Sequence, residues 1–332
     1  MGMADLSVSY MGLKLPNPII VGSSDLTGTL RGIVHSEAAG AGAVVLKSIF
    51  EEQFMIEAGQ AERSALIYPE AVDYLEKGGL LEYATQKMTQ MIEEAKKKVK
   101  IPIIASVNCQ SADLWPKFAR HFEDAGADAL ELNIYFLPFE LSIPGSDYER
   151  SHIRILEEVR KTVSIPVSVK LSSQLTAVPH LSQRLAEAGC RGLVFFNWFL
   201  QPDLDIAHLK TKNVIGRGDF HQSLRWIALC AGRVECDIAA SGGVRRPDQV
   251  IKLLLAGAAA VQVATLVQLE GLENLRELLR GLEEWMEEKG HASVDDFRGE
   301  LSFKRQELDF KEPRQAEAYF RAQYLKTYAS KD

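Results

Sequence analysis

EDAGADALELN, residues 123–133, holds one turn of the architecture: the acidic end of a helix, an Ala-Gly stop, and a short apolar strand closing on Asn133. The same order recurs as EAAGAGAVVLKS (37–48), AEAGCRGLVFFN (186–197) and LLAGAAAVQVATL (254–266). Glycine after an amphipathic run terminates a helix because it tolerates the left-handed conformation that a helix end demands. Two or three residues later each copy turns continuously apolar, as expected of a parallel strand covered on both faces.

A second connector substitutes proline. KVKIPIIASVN (98–108) and TVSIPVSVKLS (162–172) place Ile-Pro at the start of an apolar run, where a missing N–H does least harm to a ladder. With NPIIVGSS (17–24) and CDIAASGG (236–243), eight strands result. Amphipathic stretches at 29–40, 80–98, 111–125, 147–162, 177–188, 221–232, 247–256 and 271–289 separate them. Eight alternations predict an α/β fold, a single (β/α)8 TIM-type barrel over 1–302, rather than a doubly wound sheet. Residues 303–332, with Tyr319, Phe320 and Tyr324 at near-helical spacing, predict a C-terminal helical extension packed on the barrel or on a partner subunit.

Composition excludes several function classes. The chain of 332 residues is 46% hydrophobic and 25% charged, with a net charge of −7. That balance fits a globular protein and argues against a nucleic-acid partner. Its most basic run, EEAKKKVK (93–100), suits the negative C-terminal pole of a helix. Cys109, Cys190, Cys230 and Cys236 form no CxxC pair and show no metal-ligand spacing, so no metal site is expected. No signal-peptide pattern or apolar membrane span is read, and the expected location is cytoplasmic.

In such barrels chemistry sits where strands end, at the C-terminal rim. The rim residues read from the strand ends include Gly22-Ser23-Ser24, Lys47-Ser48, Ser106, Asn108-Cys109, Asn133, Lys170, Asn197, Ser241-Gly242-Gly243 and Ala264-Thr265. Lysines and amides without paired carboxylates or histidine suit binding of a planar, hydrogen-bonding ligand better than hydrolysis. A strand-end lysine, Lys47 or Lys170, also fits a Schiff-base lyase or aldolase. The glycines after strand seven and the end of strand eight occupy a barrel's usual phosphate site.

Taken in order, LPNPIIVGSS, GAVVLKS, ELN, VSVKL, FFN, ASGGVRRPDQV and AGAAAVQVATL resemble the FMN-dependent dihydroorotate dehydrogenases, particularly class 1. WMEEKGHASVDDFRGEL (285–301) resembles the end of that family's last helix and the segment after it. The resemblance implies FMN over the rim, a small-molecule pyrimidine substrate against it, and oxidation of dihydroorotate to orotate in pyrimidine biosynthesis. It further implies that Gly22, Ser23, Lys47, Asn133, Lys170, Gly242, Gly243, Ala264 and Thr265 hold the cofactor, the last four at its phosphate. Lys47, Asn133 and Asn197 would line the substrate, and a homodimer or an electron-transfer partner is expected.

One loop departs from the family. Class 1 members follow ELN with a Ser-Cys-Pro-Asn loop whose Cys is the base, and here Tyr135 and Phe136 take the Ser-Cys positions. The Gly-Leu-Pro-Asn segment after strand two has no counterpart in YPEAVDYLEKGGLLEYA, and GRGDFHQSLRW replaces the glycine-rich stretch before helix six. Cys109, with a reference pKa of about 8.5, and Tyr135, at about 10, are the replacement bases that chemistry ranks first. Glu140 and His221, on loops near the rim, follow. A flavin-binding electron-transfer or non-catalytic relative is the alternative that the altered loop motivates.

Overall fold

The computed structural model describes residues 4–51, 80–198, 201–214 and 218–307. Eight parallel strands form the wall: β1 Ile19–Val21, β2 Ala43–Val45, β3 Ile103–Asn108, β4 Ala129–Asn133, β5 Val167–Ser172, β6 Gly192–Asn197, β7 Asp237–Ser241 and β8 Ala260–Val263. Each pairs in parallel with its chain neighbours, β8 returns to β1, and β2 pairs with β3. The sheet therefore closes, and closure removes the exposed edges that an open sheet must protect. A short strand, Ile49–Phe50, extends the β3 edge near the rim.

Helices alternate with the strands: α1 Leu30–Ala38, α2 Leu80–Lys98, α3 Leu114–Asp124, α4 Gly145–Thr162, α5 Val178–Glu187, α6 Phe220–Cys230, α7 Pro247–Ala256 and α8 Asn274–Lys289. These match the eight sequence-predicted stretches to within three residues at each end. All four Ala-Gly connectors behave as their sequence requires, with Gly40, Gly126, Gly189 and Gly257 at φ of 101°, 92°, 93° and 109°. The Ile-Pro connectors start strands by a different device. Pro102 and Pro166 lend only their carbonyls, which accept from Val44 N–H at 3.1 Å and Leu130 N–H at 2.9 Å.

Packing is continuous from strands to helices. β3 and β4 are buried along their whole length, and Trp115, Phe118 and Phe122 seat α3 against them. Two hairpins lie outside the strand-helix pattern read from the sequence. Val8–Tyr10 and Leu13–Leu15 pair antiparallel through a turn at Met11-Gly12, and Met11 N–H donates to Asp237 Oδ2 at 2.7 Å. Tyr10 and Met11 also press on Gly192, so this hairpin closes the barrel floor. The second, Gln201–Asp205 with Lys210–Val214, leaves the rim after β6 and is solvent-exposed.

The expected extension begins as a short helix, Phe303–Glu307, with the Arg233 guanidinium over the Phe303 ring at 4.8 Å. Tyr319, Phe320 and Tyr324 lie outside the described residues, as does most of YPEAVDYLEKGGLLEYA. Among the described residues no helix is long and apolar enough to cross a membrane.

Candidate active site at the strand ends

A cavity of about 300 Å³ opens at the C-terminal ends of the strands. Ser23, Lys47, Asn133, Lys170 and Asn197 all line it, and Ala264 and Thr265 close it beside β8. Six different strands or the loops after them thus deliver side chains to one volume, which is the geometry a closed barrel imposes. A larger cavity, about 440 Å³, lies at the opposite end around Arg191, Asp237 and Arg298. Its lining mixes charges of both signs at the face that stabilises a barrel rather than the face that reacts.

The rim polar groups form two connected sets. Ser48 Oγ lies 2.7 Å from Ser106 Oγ and 3.1 Å from Ser23 Oγ, while Asn133 Nδ2 reaches Ser48 Oγ at 3.5 Å. Asn197 Nδ2 donates to Asn133 Oδ1, which fixes both amide planes. The second set is ionic. Lys47 Nζ meets Asp25 Oδ1 at 2.5 Å in an exposed pair. Lys170 is buried, its Nζ donating to Gln262 Oε1 at 3.1 Å and standing 3.7 Å from Glu131 Oε1.

Gly242 and Gly243 follow β7 with φ of 97° and 78°. A Cβ on Gly242 would stand 2.3 Å from Trp198 Nε1, so the indole rests directly on the bare glycine. Gly218 packs from the other side, where a Cβ would come 2.5 Å from Gly243 N. Gly22 donates its N–H to Val263 O at 2.9 Å and abuts Ala264. The buried Trp198 Nε1–H and Ser24 Oγ have no hydrogen-bond partner among the described residues. Buried donors without partners are costly.

The base candidates fare differently. Cys109 is buried at the end of β3 and Tyr135 is half-buried after β4, and neither lines the cavity. Glu140 and His221 are exposed and also lie outside its lining. Cys190 and Cys230 are pushed up to about 12 by burial, which keeps both as neutral thiols.

Phe136 packs into the protein instead. Its ring centroid is 5.3 Å from His152 in an edge contact and 6.1 Å from Tyr148. His152 is buried, Nδ1 lies 2.7 Å from Tyr148 O, and burial holds the imidazole below its ordinary pKa of 6.5. The unfolded chain therefore binds this proton more readily, so stability from His152 is present above 6.5 and is lost as pH falls towards the folded value. Melting temperatures between about pH 7 and about pH 5 should fall less steeply in His152→Leu than in the wild type. Parallel curves would refute the linkage.

Several lining residues escape a strand-end reading. Asp25 and Trp198 belong to loops, Phe50 to the short strand Ile49–Phe50 and Gln268 to a short helix, Thr265–Glu270, after β8, and all of these segments are too short for periodicity to mark them. Glu131 and Gln262 were legible in principle, since each is a lone polar residue inside an otherwise apolar strand. Glu131 precedes Asn133 by two positions and so faces the same way.

Comparison with known proteins bears on the family of the chain. A dihydroorotate dehydrogenase family model matches residues 5–286. A chain of Aeropyrum pernix, named provisionally as dihydroorotate dehydrogenase A (fumarate), is 29% identical over 89% of this chain and 97% of its own length. The dihydroorotate dehydrogenase B (NAD(+)) catalytic subunit of Thermoplasma acidophilum is 26% identical over 90% of this chain and 99% of its own. That of Methanopyrus kandleri is 30% identical over 78% and 84%. With a match that runs from the floor hairpin to α8 and takes in every strand of the barrel, the chain belongs to the dihydroorotate dehydrogenase family.

Proposed function

We propose that the chain is an FMN-dependent oxidoreductase acting on a CH–CH bond, taking dihydroorotate to orotate in pyrimidine biosynthesis. The observation that carries this reading is the convergence of Lys47, Asn133, Lys170 and Asn197 on one rim cavity in a chain of this family. The unpartnered Trp198 Nε1–H and Ser24 Oγ, with the bare backbone at Gly242-Gly243, fit a polar group with a phosphate end. Bound FMN would supply the hydride-accepting chemistry.

The protein's own residues bind and orient. Gly242, Gly243, Ala264 and Thr265 would hold the phosphate, and Gly22 and Ser23 the cofactor's edge. Lys170 would place a cation where reduction builds negative charge, and such a preorganised charge works best in a site shielded from water. Lys47, Asn133 and Asn197 would hold the substrate, and the Asn197–Asn133 hydrogen bond limits how far either amide turns. Relatives named as catalytic subunits support an electron-transfer partner for reoxidation, and a cytoplasmic homodimer belongs to the same reading.

A second reading is favoured by one observation. Neither Cys109 nor Tyr135 lines the cavity, so a flavin-binding electron-transfer role without dihydroorotate remains the competitor. One experiment separates them. Protein incubated with FMN and desalted should keep a visible flavin spectrum, and anaerobic dihydroorotate should bleach it slowly. Absence of flavin would reject the cofactor; bound flavin with an unchanged spectrum would reject the substrate and favour electron transfer.

A further inference from the structure

Three side chains from three strands meet inside the barrel beneath the cavity. Glu131 on β4 is 1% exposed, Gln262 on β8 is 2% exposed and Lys170 on β5 is 7% exposed. Gln262 Nε2 donates to Glu131 Oε2 at 2.6 Å, and its Oε1 accepts from Lys170 Nζ at 3.1 Å. In the closed sheet β4 and β8 lie four strands apart either way round, so this amide spans the barrel interior. Lys170 reaches the cavity lining, whereas Glu131 and Gln262 do not.

Chemistry fixes which way the bridging amide points. An ionised carboxylate only accepts and an ammonium only donates, so one orientation of Gln262 bonds both neighbours. That orientation, N–H toward Glu131 and oxygen toward Lys170, is the one present. Burying an ammonium alone favours its neutral form, and the carboxylate 3.7 Å away opposes this.

We propose that Glu131, acting through Gln262, is the positioning residue that keeps Lys170 charged and aimed into the cofactor cavity. The inference rests on the FMN reading for its consequence but not for its geometry. Glu131 touches neither the cavity nor what fills it, so its effect must pass through Lys170. Tyr10, from the floor hairpin, also feels Glu131, and burial with the Glu131 charge raises its pKa well above the ordinary value. The phenol is thus neutral and supplies no counter-charge.

The test compares Glu131→Gln, Lys170→Met and the double variant, all reconstituted with FMN. Each single change should lower the cofactor's midpoint potential, by about a hundredfold in the two-electron equilibrium, or about 60 mV. The double variant should match Lys170→Met, because Glu131 has nothing left to act through. An unmoved or raised potential in Glu131→Gln overturns the proposal, as does a further fall on top of Lys170→Met. A merely structural glutamate would not move the potential.

Melting temperatures of the FMN-free proteins give an independent reading. Each single variant leaves one member of a buried pair without its partner, so the double variant, which removes both, should be more stable than either. Additive losses would overturn the coupling between Glu131 and Lys170. Because this measurement needs no cofactor, failure of FMN to bind would reject the functional reading while the pair is still judged on its own.

Discussion

Gly242→Ala is expected to weaken FMN binding by about a hundredfold, close to 3 kcal/mol, while the barrel stays folded. Two costs fall on the same atom. At φ of 97° the backbone lies where a side chain is strained, by about 1–3 kcal/mol. The new Cβ would also stand 2.3 Å from Trp198 Nε1 and 2.4 Å from Cδ1. A rigid indole cannot yield a whole ångström without rotating, and rotation would carry it into the cavity it lines. Gly242 follows the last residue of β7, so the ladder itself is spared.

Fluorescence quenching on titration with FMN measures the loss, and circular dichroism confirms the fold. Gly242→Ala with Trp198→Ala should regain part of the affinity, since the clash is gone but the backbone strain persists. Wild-type affinity in Gly242→Ala would mean that the cofactor does not use this turn. Full recovery in the double variant would assign the whole effect to the indole.

How much of this was legible before the fold was known follows from which features are local. The four helix-ending glycines and two strand-starting prolines act within a few residues of themselves, so the alternation of strands and helices could be read directly. Rim residues were legible because a parallel barrel sends strand ends to one face regardless of detail. Trp198 was not, because what marks it is contact with Gly242, a residue more than forty positions away. The Lys170–Gln262–Glu131 set required knowing that β8 and β4 face each other across the interior. Met11-Gly12 illustrates a different limit: a tight turn between short strands carries too few residues for periodicity to register, although its hydrogen bond to Asp237 holds the barrel floor.

The loop after Asn133 gives the second large effect. Phe136→Cys should raise dihydroorotate turnover by about a hundredfold, the lower range of what a positioned general base contributes. The proton at C5 needs an acceptor, and Tyr135, Phe136 and Cys109 all lie outside the cavity lining, so the variant tests whether the loop after β4 brings position 136 to the substrate. A thiol at position 136, which the sequence resemblance assigns to the base, would ionise near pH 8.5 unless its surroundings shift it. Beside it stands the buried His152, whose Nδ1 lies 2.7 Å from Tyr148 O. The ring that now packs on His152 at 5.3 Å would be lost, at a cost of about 1–2 kcal/mol for a half-buried aromatic, which a domain of ordinary stability survives. Turnover in the variant should climb with pH towards the thiol's ionisation, whereas Phe136→Ala, which opens the same space without a base, should stay at the wild-type rate. Equal gains in the two variants would show that Phe136 obstructs the substrate instead, and no gain in either would separate this chain from dihydroorotate altogether.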